Sequence, residues 1–131
     1  MNVLTLRSQV AAVLTGVIGT YTLGNSSTTP AISVRKIGEG LAPGTTVSGL
    51  EVVIVQEPDL QAVSEYREPN SQELWTVYLV GWGAAVDMKA AGKKIVKGFP
   101  GAEVSTISVP EGVGPRNQLR CNIPDKQITN V

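Results

Sequence analysis

Between Asn2 and about Ile18 the apolar residues Val3, Leu6, Val10, Val13, Leu14 and Val17 recur three or four positions apart. That spacing puts them on one stripe of an amphipathic helix, with Arg7, Ser8 and Gln9 largely on the other side. Asn2 suits the N-cap, and Gly16 and Gly19 frame the end. The turn-rich stretch Gly19 to Pro30 reads as a loop with a short extended piece at Tyr21 to Leu23. Ala31 to Ile37 alternates Ile32 and Val34 against Ser33 and Arg35, the pattern of a half-buried strand. After a second connection, Gly38 to Gly49, comes the β-branched run Leu50 to Pro58, a strand covered on both faces or paired centrally.

Asp59 to Gln72 is charged, contains Pro69, and reads as a long exposed loop. Glu73 to Gly83 is the longest strand candidate. Trp75, Val77 and Leu79 fall on one face, and Leu74, Thr76, Tyr78, Val80 and Trp82 on the other. From Ala84 to about Gly98 the period changes. Ala85, Met88, Gly92, Ile95 and Phe99 make a helical stripe, and Lys89, Lys93, Lys94 and Lys97 fill much of the rest. Gly92 on that stripe implies a close approach to a strand or to the first helix. Two strands follow, Ala102 to Pro110 and Arg116 to Pro124. The second turns Leu119, Cys121 and Ile123 to one face. Residues 125–131 read as a flexible tail. The expected order is α-β-β-β-α-β-β: an α+β domain, with a mostly antiparallel sheet and two helices packed on one face.

Composition narrows the chemistry. The 131 residues fit one domain, and eleven basic residues balance eleven acidic ones. No overall field draws in nucleic acid or an anionic membrane. The chain has no histidine, which removes the commonest general base, the commonest metal ligand and any Ser-His or Cys-His pair. Cys121 is alone and makes no internal disulfide; cytosolic synthesis fits. The apolar stretch Val10 to Ile18 after Arg7 has a signal-peptide flavour. It is short, interrupted by Thr15 and Gly16, and better explained by the amphipathic helix. No run approaches the ~20 apolar residues of a membrane-spanning helix.

Gly81-x-Gly83 after an apolar strand is how a dinucleotide-binding turn begins. The third small position is Val86, and the nearest acidic residue at the expected distance, Glu103, starts its strand rather than ending it. The strands before Gly83 follow one another without intervening helices, unlike a parallel βαβ sheet. The glycines are therefore expected to turn the backbone from strand to helix. Glu57 with Asp59, and Glu65 with Glu68, read as solvated loop carboxylates, since no apolar pocket is implied around them. Asp87 and Glu103 lack the clustered spacing of a cation site. Cys121 reads as a buried small hydrophobe. The lysine run reads as a solvated helix face, the alternative being a phosphate or acidic partner. Arg35, Lys36, Arg116 and Arg120 form a second basic patch only if their strands are neighbours. Trp75, Tyr78 and Trp82 are core or interface anchors.

The layout carries a resemblance. An opening LRSQVAAVLTGVIG helix, a loop and a TPAISV strand come first. The strands EVVIVQEP and ELWTVYLVGW follow, and then the lysine-bearing AAVDMKAAGKKIVKGFPGAEVSTISV helix–strand unit. In this order the chain resembles the tail-terminator (tail-completion) proteins of long-tailed bacteriophages, over most of its length. The resemblance implies a single tail-terminator-like domain over 1–131 and a structural, non-enzymatic role without cofactor. It implies a homo-oligomeric ring, usually sixfold, that caps the tail tube and ends its polymerisation. The tube protein and the head connector or adaptor are then the partners. Genomic DNA passes through the lumen without specific binding, and no membrane is involved. The product would be made in the host bacterial cytoplasm and end in the virion neck.

A heterologous ring needs two complementary surfaces per subunit. The loops 38–49, 59–72 and 110–116 are candidates, with Arg35, Lys36, Glu65, Tyr66, Arg67, Glu68, Arg116 and Arg120 as interface residues. Three alternatives stay open: another head–tail connector or tube-joining protein, a small nucleotide- or cofactor-binding protein using the Gly81–Asp87 turn, and a host-encoded oligomeric binding module.

Overall fold

A computed structural model describes residues 2–36, 41, 43–56, 59–62, 71–82, 86–106 and 117–124. The first helix, α1, spans Val3–Val13 and is shorter than its apolar pattern. Asn2 is its N-cap, with the side-chain oxygen accepting from the Thr5 amide at 2.8 Å. Thr15 closes the other end: its hydroxyl donates to the carbonyls of Ala11 and Ala12, and its amide donates to Ala12 as well. Gly16 then takes φ +87°, a left-handed conformation that ends the helical path.

The expected loop at 19–30 is a small hairpin, β1 (Thr20–Thr22) and β2 (Thr28–Pro30), antiparallel to each other. β3 (Ile32–Arg35) and β4 (Thr46–Val55) follow, and β4 starts four residues earlier than the apolar run suggests. Its first part pairs antiparallel with β1 and its second part pairs parallel with β3. Gly49, at φ +82°, lies between the two parts. There the chain leaving α1 crosses β4: Gly19 N–H donates to the Leu50 carbonyl at 2.7 Å. A Cβ on Gly19 would sit inside contact distance of the Ser48 carbonyl oxygen, so only glycine fits this crossing.

The charged stretch expected as a loop contains a strand, β5 (Asp59–Ala62), antiparallel to the start of β6 (Ser71–Trp82). β6 is the central strand. β5 and β4 share one of its edges, and β8 (Asn117–Pro124) takes the other, all antiparallel. β7 (Glu103–Thr106) pairs antiparallel with β8 and ends the sheet. The expected order of elements is therefore present, with three short strands, β1, β2 and β5, inserted. β3–β4 is the single parallel strand pair among the described residues.

The second helix, α2 (Met88–Gly98), is capped by Asp87, whose carboxylate accepts from the Ala90 amide at 3.0 Å. α1 lies against β3, and α2 lies across β6, β7 and β8, so both helices cover one face. Between them and the sheet is the core. Leu6, Val10 and Leu14 come from α1, and Ala91, Ile95 and Phe99 from α2 or its end. Ile32, Leu50, Val52, Ile54, Trp75, Val77, Leu79, Cys121 and Ile123 come from the strands. Burying each large aliphatic side chain is worth about 1.5–3 kcal/mol before entropy is counted. The helices also meet directly: a Cβ on Gly98 would lie 2.6 Å from a Val13 methyl. Gly92 faces the strands, with Leu119 and Val104 nearest, the strand alternative of its expected close approach.

Candidate functional site

The alternation of β4 sends Leu50, Val52 and Ile54 into the core and Glu51 to the opposite face. No helix covers that face among the described residues, yet Glu51 is only 3 % exposed. Three donors surround its carboxylate. Tyr21 O–H donates to Oε2 at 2.7 Å, Arg35 Nη2 donates to the same oxygen at 2.9 Å, and Trp82 Nε1 donates to Oε1 at 2.9 Å. Because the phenol proton goes to Glu51, the Ser33 hydroxyl, 3.0 Å from the Tyr21 oxygen, is the donor in that pair. Ser33 Oγ in turn accepts from Arg35 Nε at 3.2 Å. Among the described residues, five side chains from β1, β3, β4 and β6 thus form one network around a buried carboxylate.

A buried carboxylate is tolerated only with its charge paired and its lone pairs filled. Here both conditions hold, and no buried side-chain polar atom among the described residues lacks a partner. Burial is the main cause pushing the Tyr21 hydroxyl up from 10.0 to about 12. The Glu51 bond and charge add to it, against the lowering effects of Ser33 and Arg35. Tyr21 is neutral at ordinary pH, and Glu51 has its oxygens committed. The arrangement clamps four strands together; it presents no free base or nucleophile. Cys121 is equally unsuited to attack, since burial raises its thiol from 9.0 to about 12.

The sequence reasoning missed Glu51, Tyr21 and Ser33. The available signal was a single carboxylate inside the β-branched run LEVVIV. Its partners depend on strand register, which no local pattern supplies. Of the expected interface residues, Arg35 belongs to this network and Lys36 is exposed just after β3. Arg120 is exposed on β8. Glu65, Tyr66, Arg67, Glu68 and Arg116 lie outside the described residues. The conditional basic patch does not form around Arg35 and Arg120. Their strands are separated by β4 and β6, about 14 Å at the usual strand spacing.

The strand before the Gly81–Asp87 turn is not set in a parallel sheet. β6 leads into that turn flanked by antiparallel neighbours on both edges, whereas a dinucleotide turn follows a strand of a parallel sheet. Asp87 is spent on capping α2. Residues 83–85 lie outside the described residues. The lysines of α2 are exposed. Lys89, Lys93 and Lys97 stand one turn apart along a groove of about 460 Å³, whose remaining lining is Gly92, Val96, Val104 and Leu119. A second groove, about 560 Å³, runs between α1 and the β1–β2 hairpin and includes Arg7, Thr15 and Thr29.

Comparison with protein-family models, curated proteins and solved structures finds no match to this chain. Among the described residues, no helix is long and apolar enough to cross a membrane, and no group of three or more Cys, Asp or Glu side chains is placed to hold a metal ion.

Proposed function

We propose that this chain is a structural protein of a bacteriophage tail neck, a tail terminator that closes the tail tube and meets the head connector. The observation that supports it most is the run α1–β3–β4–β6–α2–β7, the element order on which the resemblance rests, with both helices on one face. The sheet ends in unlike edges, β2 on one side and β7 on the other. Unlike edges suit a head-to-tail contact, in which each subunit offers two different surfaces and rotation closes a ring. In this reading the Glu51 network fixes the geometry of the face opposite the helices. Lys36, Arg120 and the segments holding Glu65, Tyr66, Arg67, Glu68 and Arg116 then supply contacts to neighbouring copies, tube or connector. Near-zero net charge is compatible with DNA passing through a wide lumen.

The test is tube capping. The protein is added to the polymerising tail-tube subunit encoded beside it. Shortened tubes with a ring of extra density at one end in electron micrographs are expected. Unchanged tube lengths with bare ends, or a gene neighbourhood without tail genes, would overturn the reading.

A further inference from the structure

The groove beside α2 has two unlike components. Its floor is apolar: Gly92 and Val96 from the helix, Val104 from β7 and Leu119 from β8. Val96 is 47 % exposed, an unusual position for a valine on a helix already packed on a sheet. Its rim is cationic, with Lys89, Lys93 and Lys97 recurring every four residues, so the ammonium groups follow one side of the trough about 6 Å apart. Lysines present an apolar stem and a charged head, which suits them to hold an occupant that is itself apolar beneath and acidic at its edges.

The chain contains one segment of that composition. Residues 57–73 hold five carboxylates, Glu57, Asp59, Glu65, Glu68 and Glu73, against a single cation, Arg67, and interleave them with Leu60, Val63 and Tyr66. This is nearly half of the eleven acidic residues in the protein, while four of the eleven basic residues lie between Lys89 and Lys97. β5 sits on the edge of β6 opposite β8, so β6 and β8 intervene between it and β7, about 14 Å of sheet. Ala62 and Ser71, which flank residues 63–70, pair as the last rung of β5–β6 on that far side.

We infer that the lysine-edged groove receives the acidic 57–73 segment of a second copy of this chain. The contact is heterologous: each copy gives its acidic segment to one neighbour and its groove to the other, which propagates into a ring or filament. The inference deepens the ring reading above and rests on its self-assembly, not on the identity of the tail.

Sedimentation velocity across a concentration series tests it in the full chain. Lys93→Glu/Lys97→Glu and Glu65→Lys/Glu68→Lys are each expected to weaken self-association at least tenfold. Combining all four substitutions is expected to restore much of it, because the pairing is reversed rather than removed. Wild-type association is expected to fall as salt rises, the Debye length shrinking to ~3 Å at 1 M. Far-UV circular dichroism checks that each variant is folded. Association unaffected by either pair of reversals, or not restored by their combination, overturns the inference and leaves the ring reading standing. A wild type that stays monomeric at every concentration also overturns it, and tube capping then judges the tail-neck reading separately.

Discussion

The indole N–H of Trp82 reaches back from the end of β6 to donate to Glu51 Oε1 on β4 at 2.9 Å. The Trp82 ring stays 37 % exposed, while the carboxylate it holds is nearly sealed. The tryptophan is therefore anchored at its polar end, with part of its apolar body left at the surface. Removing the carboxylate should cost more than removing any one donor. Glu51→Ala strands Tyr21 and Trp82 without their acceptor and takes the Glu51 carboxylate from beside the Arg35 guanidinium, for an expected loss of ~3–5 kcal/mol. Trp82→Phe leaves the carboxylate its other two donors and should lose only about 1–2 kcal/mol. Urea denaturation midpoints rank the two; equal losses would mean that the network does not act around Glu51.

At the crossing of Gly19 over β4, backbone meets backbone, so no side chain can move aside. Gly19→Ala would press its methyl onto the Ser48 carbonyl and the Leu50 amide, the latter at 2.7 Å. A loss of ~3 kcal/mol or a failure to fold is expected. Gly49→Ala adds a left-handed φ penalty of about 1–2 kcal/mol to a 3.0 Å contact with Gly19 Cα. Gly16→Ala separates the two causes: its φ is +87° but no atom lies within 4 Å, so only the conformational cost should appear. Thermal unfolding of the three variants should order them Gly19, Gly49, Gly16 from most to least damaged.

Alkali should weaken the fold before it damages the chain. Tyr21 and Cys121 both have their folded-state pKa raised to about 12, from 10.0 and 9.0. A raised folded pKa means that the native state holds its proton where the unfolded chain has released it. The contribution is therefore complete below the unfolded value and is lost as pH climbs through the folded one. Stability should fall from pH 9 upward through Cys121 and from pH 10 upward through Tyr21. Cys121→Ala should flatten the first part of that decline and Tyr21→Phe the second. Denaturation midpoints between pH 8 and 11 read both, and a wild-type curve level across that range would contradict the assignment.

Helix and central-strand positions were legible because their signals are local. Asn2 stands directly before an apolar helical period and caps α1 as expected, whereas Asp87, which the pattern from Ala84 places inside the second helix, is its N-cap. The faces of Glu73 to Gly83 follow from alternation alone, and Trp75, Val77 and Leu79 do enter the core. What escaped was carried by polar residues whose pairing depends on distant chain. β1 and β2 are three residues each, mostly exposed, and are stabilised by a hairpin rather than by apolar content. Thr46 to Ser48 joins β4 because β1 supplies its ladder, although its composition is that of a turn. Glu51 is a lone charge near the start of an apolar run and passes unremarked in the sequence. Only the register that brings Tyr21, Arg35 and Trp82 around it makes it part of the interior.

The corner after Gly81 offers a sharper experiment than its sequence motif does. If it bends the backbone and no more, Asp87 matters through the α2 amide it accepts from, and the effect is confined to stability. Asp87→Ala should then cost about 1 kcal/mol, and Asp87→Asn, which keeps a capping oxygen, only a few tenths. Neither change should alter a thermal-shift response to nicotinamide or adenine nucleotides, because wild type is expected to show none. A nucleotide-dependent rise in melting temperature that Gly83→Val abolishes would reverse this conclusion. A cap tolerates a side chain at a neighbouring loop position, whereas a phosphate seated on bare amides does not.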